Sequence, residues 1–150
     1  MYQGHHGDAG AHKASIIFPS AAYTEQNGIF VNTEGRIQLA KRAAFPPGEA
    51  KEDWAILRAL SGELGTPLCY DTQDALRRVL QETNDAFFAI DTVEPAAWGD
   101  FGTEGPLDSA AFSTPISNFY MTDPISRASE TMAKCVEEIL GTVEATGTDG

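Results

Sequence analysis

The chain has 150 residues, and its hydrophobic content of 42% is sufficient for the core of one small domain without disulfide or cofactor support. A formal net charge of −12 argues against nucleic acid and anionic membrane surfaces as direct partners, because like charges repel. The two cysteines, Cys69 and Cys135, have neither the spacing of a metal site nor that of an iron–sulfur ligand set.

Membrane insertion and secretion are not expected from the sequence. No apolar stretch approaches the roughly 20 residues that a transmembrane helix requires. The N-terminal residues lack the basic and apolar regions of a signal peptide. We therefore expect a soluble, unsecreted protein in a reducing compartment.

The first strand is predicted at residues 15–18, an apolar and partly β-branched run that is typical of a strand buried on both faces of a parallel sheet. The preceding residues, including Tyr2 and the glycine-rich segment 4–10, are predicted to form a loop. From residue 29 to 39 the apolar side chains occupy odd positions. This parity predicts two half-buried strands that form a β-hairpin with its turn at residues 33–35.

Three helices follow in the prediction. The first covers residues 50–64 and ends at Gly65. The second is capped by Asp71 or Thr72 and continues with apolar residues at helical spacing. The third covers residues 124–141 and begins with an aspartate cap and a proline at its first position.

Residues 91–123 lack sustained periodicity and are predicted to form an extended arm, which in proteins commonly wraps another surface. Aromatic side chains would then be the contacts with a partner. The candidate partner contacts are Trp98, Phe101, Phe112, Phe119 and Tyr120. The polar tail 142–150 is predicted to be disordered.

The N-terminal loop contains the one cluster of metal-ligating side chains, formed by His5, His6, Asp8 and His12. Adjacent histidines point apart, and loop histidines more often bond backbone groups or lie in solvent, so no metal site is predicted. A phosphate cradle in the same loop is an open alternative, because glycines expose amide groups. The loop nevertheless matches neither common nucleotide-binding motif and contains no lysine.

No catalytic residue is predicted. Ser15, Ser20 and Ser113 lack the sequence context of a nucleophilic serine. Cys135 lies on the apolar face of its helix and is interpreted as a core thiol, whereas Cys69 is left unassigned.

Glu25, Asn32, Glu34 and Arg36 are harder to interpret as ordinary surface residues. An arginine close to two glutamates predicts a structural ion-pair network of Glu25, Glu34 and Arg36 that fixes the turn. The alternative is a polar rim that faces a cofactor or a partner subunit. The weak cofactor-binding candidates are His5, His6, Glu25, Asn32 and Arg36.

Seven segments of the chain follow one another in the order found in a known family. They are Gly4-His-His-Gly-Asp8, Ile17-Phe-Pro-Ser-Ala-Ala-Tyr-Thr-Glu25, Val31-Asn-Thr-Glu-Gly-Arg36, Phe45-Pro-Pro-Gly48, Glu52-Asp-Trp54, Ile56-Leu-Arg-Ala-Leu60 and Asn118-Phe-Tyr-Met-Thr-Asp-Pro-Ile-Ser-Arg-Ala-Ser129. Together they resemble the C-terminal part of the G subunit of NADH-quinone oxidoreductase, the largest iron–sulfur subunit in the peripheral arm of respiratory complex I. The segment 19–36 also resembles, more distantly, the molybdopterin oxidoreductases.

The resemblance implies an α/β fold in which residues 1–90 are the C-terminal piece of a molybdopterin-oxidoreductase-like domain. This piece would contain a short parallel-type strand and a β-hairpin. About three helices are expected in the whole chain, the last of them at 124–141 beyond the arm at 91–123. The chain is expected to be a fragment or one piece of a split subunit.

The resemblance also implies where the protein acts. The family's full-length subunit binds 2Fe-2S and 4Fe-4S clusters through an N-terminal region with no counterpart here, so no cofactor is expected in this segment. Expected partners are that N-terminal region and other peripheral-arm subunits, on the cytoplasmic face of the bacterial inner membrane or the mitochondrial matrix side.

The expected function is a structural, non-catalytic part of the peripheral arm that passes electrons from NADH to quinone. Two alternatives remain open. The chain could belong to a molybdopterin-dependent oxidoreductase and contact a pterin cofactor. It could also be an independent protein-binding module that uses the aromatic arm.

Overall fold

A computed structural model describes residues 1–93, 95 and 97–141, and the predicted disordered tail at 142–150 lies outside the described residues. The chain divides into two compact units. The first contains Met1–His5 and Lys13–Glu94, and the second contains His6–His12 and Pro95–Gly150. The chain mixes helices with small sheets, which confirms the predicted fold class.

A small parallel sheet opens the first unit. Strand β1 (Tyr2–Gly4) pairs in parallel with β2 (Ile17–Pro19), and Ser20 continues the sheet through a parallel bridge to Lys51. The predicted parallel strand is therefore confirmed. The loop predicted at Tyr2 is wrong, and so is the burial of the strand on both faces, because the side chain of Ile17 is 53% exposed. A short 3₁₀ turn, Ala11–Lys13, separates the two strands in sequence.

The predicted β-hairpin is confirmed by antiparallel strands β3 (Gly28–Val31) and β4 (Ile37–Ala40). Asp91 closes the outer edge of β4. Its backbone N–H donates to the carbonyl oxygen of Ile37 at 2.8 Å, and its Oδ1 accepts from the backbone N–H of Leu39 at 3.0 Å. Asp91 adopts a positive φ of 61°, a conformation that aspartate tolerates better than most residues. Edge groups of β4 are thereby satisfied by the chain itself.

Helices α1 (Asp53–Glu63) and α2 (Gln73–Thr83) complete the first unit together with a 3₁₀ helix at Asp85–Phe88. Helix α1 begins three residues later than predicted, because Lys51 is used in the bridge to the small sheet. Both predicted boundary signals are observed. Gly65 follows α1 with φ of +74°, and the Thr72 hydroxyl accepts from the backbone N–H of Ala75 at 3.1 Å.

The second unit contains helices α3 (Pro124–Arg127) and α4 (Glu130–Cys135), followed by a π-helical turn at Val136–Leu140. The predicted helix 124–141 is thus interrupted near its first turn, where the Ser129 side chain caps a new helix by accepting from the backbone N–H of Met132. Serine side chains compete for backbone groups in this way, which explains the interruption. None of the helices in the described part of the chain has both the length and the apolar character needed to cross a membrane.

Candidate functional site

A charged pair joins the N-terminal and C-terminal parts of the second unit. Arg127 donates to Oδ2 of Asp8 through Nη2 at 2.7 Å and through Nε at 3.1 Å, although the two residues are 119 positions apart. The third guanidinium nitrogen, Nη1, donates to the backbone carbonyl of Met121 at 3.2 Å. Arg127 therefore fixes both the 6–12 segment and the turn that precedes α3.

The Asp8 carboxylate is held by several donors at once. Its Oδ1 accepts from the backbone N–H of Ala9 at 2.9 Å, and the Asp8 backbone carbonyl accepts from the backbone N–H of Ala11 at 2.8 Å. The hydrogen bonds from Arg127, followed by that from Ala9, lower the pKa of Asp8 below its ordinary value of 3.8. The 6–12 segment is consequently an ordered loop built on an ionised aspartate.

Asp53 forms a second polar junction, in the first unit. One carboxylate oxygen accepts from Gln3 Nε2 at 2.6 Å and the other from Gln26 Nε2 at 3.0 Å. The Asp53 backbone N–H donates in turn to Gln26 Oε1 at 3.3 Å. Since Asp53 begins α1 and Gln3 lies in β1, this junction links the small parallel sheet to the helix.

The sequence patterns predict neither junction. The residues of each come from distant segments, and no periodic pattern connects them. A usable signal does exist, because Asp8, Asp53 and Arg127 each lie within one of the seven segments that carry the family resemblance. Asking which charged residues of those segments could pair would have suggested the Asp8–Arg127 pair. The Asp53 partners, Gln3 and Gln26, are uncharged and lie outside those segments.

The predicted polar residues of the hairpin are placed close to backbone groups. The Glu25 carboxylate accepts from the backbone N–H of Ala22 at 2.9 Å. Asn32 Oδ1 accepts from the backbone N–H groups of Glu34 at 3.1 Å and of Arg36 at 2.8 Å. Asn32 thereby organises the turn, a role in which asparagine is common.

The predicted network of Glu25, Glu34 and Arg36 is not assembled as an ion-pair cluster. Within the described ranges, the ion pairs of the first unit join Arg42 to Glu52, Arg58 to Asp71 and Arg77 to Asp74. Glu34 and Arg36 instead line an open groove of about 500 Å³, together with Ala86 of the 3₁₀ helix and Ala89, which follows that helix.

His5 and His6, the histidines among the weak cofactor-binding candidates, belong to different units of the chain. His5 is exposed and belongs to the first unit, whereas His6 is half-buried and belongs to the second. In the part of the chain that the structure describes, no three His, Cys, Asp or Glu side chains are arranged to hold a metal ion. Cys69 is an exposed free thiol, and Cys135 is a half-buried one.

The aromatic arm presents most of its large side chains to solvent. Trp98 is 91% exposed, and Phe112 is fully exposed. Phe101 is 74% exposed, and Phe119 is 67% exposed. Trp98 and Phe101 pack against each other edge to face, with ring centroids 5.0 Å apart. Tyr120 is half-buried, and its backbone N–H donates to Oδ1 of Asn118 at 2.9 Å. Four of the five candidate partner contacts are thus accessible apolar side chains.

Two family models match different parts of the sequence. Residues 1–63 match the molybdopterin oxidoreductase model. Residues 92–135 match the model for the C-terminal region of the G subunit of NADH-ubiquinone oxidoreductase. The first match covers the parallel sheet, the hairpin and α1, and the second covers the arm, α3 and α4.

Curated relatives match nearly the whole chain. The mitochondrial NADH-ubiquinone oxidoreductase 78 kDa subunit of Candida albicans is 42% identical over 96% of the chain, and that of Neurospora crassa is 46% identical over 90%. The G subunit of the NADH-quinone oxidoreductase of Rickettsia conorii is 45% identical over 91%. The chain spans only about a fifth of each relative, with 21%, 19% and 20% of their lengths covered, respectively.

Proposed function

Since the chain belongs to the G-subunit family of NADH-quinone oxidoreductases, we propose that it is a structural part of that subunit that carries no cluster and braces the peripheral arm of complex I. The observation that carries this proposal is the exposure of the aromatic side chains of Trp98, Phe101, Phe112 and Phe119, within the segment matched by the G-subunit model. Apolar side chains at this exposure become stabilising when a partner surface covers them.

The side-chain chemistry of the chain supports a bracing role over electron transfer. Binding of a 2Fe-2S or 4Fe-4S cluster ordinarily takes four cysteine thiolates, and this sequence has two. One of these, Cys69, lies just before α2, and the other, Cys135, ends α4. The well-formed polar junctions, in contrast, connect backbone segments and strengthen the scaffold.

The proposed partners are the cluster-bearing part of the same family subunit and neighbouring subunits of the peripheral arm. We place the chain on the side of the membrane where NADH is oxidised, which is the matrix side in mitochondria and the cytoplasmic side in bacteria. The net charge of −12 supports attachment through protein contacts over attachment to an anionic lipid surface.

Assembly of the chain with its partners tests the proposal. The tagged chain is co-expressed with the cluster-bearing part of the G subunit and the other peripheral-arm subunits. We expect it to migrate with the NADH-oxidising particle on native gels and to raise the thermal midpoint of that particle. NADH-dependent ferricyanide reduction per particle should be the same with and without the chain. Absence of comigration, or loss of electron transfer per particle without the chain, would contradict the proposal.

An aromatic variant with a matched control identifies the surface involved. Trp98→Ala combined with Phe112→Ala should reduce the amount of chain in the particle, because both side chains lose their contact area. Phe88→Ala removes an aromatic side chain of comparable exposure, 66%, from the first unit and should not change assembly. Equal losses from both variants would show that the arm is not the contact surface.

The match of residues 1–63 to molybdopterin oxidoreductases favours a second candidate, a domain that contacts a pterin cofactor. The candidate residues do not fit that group well. Glu25 and Asn32 use their side-chain oxygens for backbone N–H groups, and the Asp8 carboxylate in the 6–12 segment would repel a phosphate. Molybdenum or tungsten in stoichiometric amount in the assembled particle would favour this second candidate over the bracing role.

A further inference from the structure

The aromatic arm lies in a long segment without positive charge. Between Arg78 and Arg127 the sequence contains no lysine, arginine or histidine. All ten lysines and arginines of the chain therefore lie outside this segment. The same segment contains eight acidic residues. The acidic residues are Glu82, Asp85, Asp91, Glu94, Asp100, Glu104, Asp108 and Asp123.

Acidic and apolar side chains alternate within the arm, and both kinds are exposed. Asp100 lies between Trp98 and Phe101, and Glu104 precedes Leu107, whose side chain is 98% exposed. The carboxylates are therefore close neighbours in sequence of the apolar side chains that a partner would cover. Any surface that buries Trp98 or Leu107 must also accept carboxylates at its rim.

This arrangement sets a condition on the partner. A purely apolar groove would remove water from the carboxylates without replacing the lost hydrogen bonds, which is unfavourable. An acidic surface would add charge repulsion. A groove bordered by lysine or arginine would bury the aromatic rings and pair the carboxylates, and Arg in particular binds carboxylates through two parallel hydrogen bonds.

We propose that the arm docks into an apolar groove of a neighbouring protein that is rimmed by lysine and arginine side chains. This inference rests on the proposed function, because it specifies the chemistry of the peripheral-arm surface that the arm contacts. The spacing of the carboxylates between apolar side chains along residues 98–108 sets the position of the arm in the groove, and the aromatic side chains supply most of the buried area.

A charge-reversal pair tests this inference. Asp100→Lys combined with Glu104→Lys changes two exposed carboxylates in the arm. Asp108 is left intact because its Oδ1 accepts from the backbone N–H of Ala110 at 2.9 Å and so shapes the local turn. The matched control is Glu63→Lys combined with Glu82→Lys, which makes the same change in net charge at exposed helical positions of the first unit.

Binding is measured with the full chain and a purified peripheral-arm particle that lacks it. The arm variant should bind about tenfold more weakly than the unmodified chain, whereas the control variant should bind equally well. Binding of the unmodified chain should also weaken between about 0.1 M and about 1 M NaCl, as the Debye length falls from about 10 Å to about 3 Å. A photo-crosslinking phenylalanine analogue at position 112 should capture peptides rich in lysine and arginine.

The outcomes separate this inference from the proposed function. Binding that is independent of salt, equal for both charge variants, or crosslinked to an acidic surface would overturn the basic-groove inference while leaving the bracing role intact. Equal weakening by both variants would show that only the overall charge matters and would also overturn it. If the unmodified chain does not bind the particle under any condition, the proposed function fails, and the inference fails with it.

Discussion

Arg127 connects two parts of the second unit that are far apart in sequence. It donates three hydrogen bonds to two separate segments, one to the carbonyl of Met121 and two to Asp8. Its side chain and that of Asp8 are partly exposed, at 34% and 20%, so solvent screening limits the contribution of their charge attraction. The geometry of the hydrogen bonds is therefore more important than the charge alone.

Substitution of Arg127 tests this interpretation. Arg127→Lys retains the positive charge but cannot reach Asp8 and Met121 through a planar fork, and it should lower the free energy of unfolding by about 1 kcal/mol. The free energy of unfolding is measured by urea denaturation, and the m-value should be unchanged. Arg78→Lys, at a position outside the observed ion pairs of the first unit, is the control. If Arg127→Lys were as stable as the unmodified chain, the fork would have no structural role.

The pH dependence of stability follows from the lowered pKa of Asp8. A carboxyl group whose pKa is lower in the folded state stabilises the fold above its unfolded pKa of about 4, and this contribution is lost as the pH falls through the folded pKa. Asp8→Asn should therefore make stability less sensitive to pH between about 5 and about 2. Thermal melts of Asp8→Asn and of the unmodified chain across that range are the measurement. Parallel profiles for the unmodified chain and Asp8→Asn would refute this assignment.

Asp91 combines an unusual backbone conformation with an edge-capping side chain. Asp91→Ala loses the acceptor for the Leu39 N–H and places alanine at φ of 61°, so it should lower the free energy of unfolding by about 1–2 kcal/mol. Asp91→Asn keeps an acceptor oxygen, and asparagine also tolerates a positive φ. Its free energy of unfolding should differ from that of the unmodified chain by less than about 0.5 kcal/mol. Chemical denaturation of both variants provides the comparison, and equal destabilisation would be inconsistent with this account.

At the scale of elements, the sequence predicts the ends of helices that depend on contacts between neighbouring residues. The Thr72 cap, the Asp123 cap and the glycine after α1 each depend on a few neighbouring residues, and each is observed where the sequence indicates it. Strand β1 was missed because three residues carry no periodicity, and its pairing with Ile17–Pro19 is a nonlocal event. The sequence does not predict the Asp8–Arg127 and Asp53 junctions for the same reason, because their residues are also far apart in the chain.

Two glycines at the end of α1 provide a paired prediction about this element. Gly65 has φ of +74°, so Gly65→Ala should destabilise the protein by about 1 kcal/mol even though the new methyl group meets no neighbour. Gly62 lies inside the helix, and an added methyl group would approach Arg58 Nη1 no closer than 3.7 Å. Gly62→Ala should therefore stabilise the protein by about 0.5–1 kcal/mol. Circular dichroism melts of both variants would show shifts in opposite directions, and shifts in the same direction would exclude this explanation.

At the scale of the whole molecule, the two units differ in how much of their chain is protected. The first unit contains both sheets, α1 and α2, whereas the described residues from 97 to 117 in the second unit form no helix or strand and are exposed throughout. The family match at 92–135 spans this exposed stretch and the helices that follow it. The most accessible part of the molecule is therefore also the part matched by the G-subunit model.

Limited proteolysis should detect this difference. Chymotrypsin at low concentration should cleave first after Trp98, Phe101 or Phe112, because cleavage requires an accessible and deformable backbone. Mass spectrometry of the early products identifies the sites. Phe45 and Phe88 are exposed aromatic residues of the first unit and serve as internal controls that should be cut later. Earlier cleavage at either control position would contradict the prediction.

The pairing of Asp8 with Arg127 also has a consequence for biosynthesis. The 6–12 segment leaves the ribosome long before the guanidinium group that it binds, which is made 119 residues later. Closing a loop of that length has an entropic cost that later contacts must offset. The first unit has all its residues available well before then, whereas the second unit can close only after Arg127 has emerged. The 6–12 segment therefore cannot form this pair until Lys13–Glu94 of the first unit and then the aromatic arm have been synthesised.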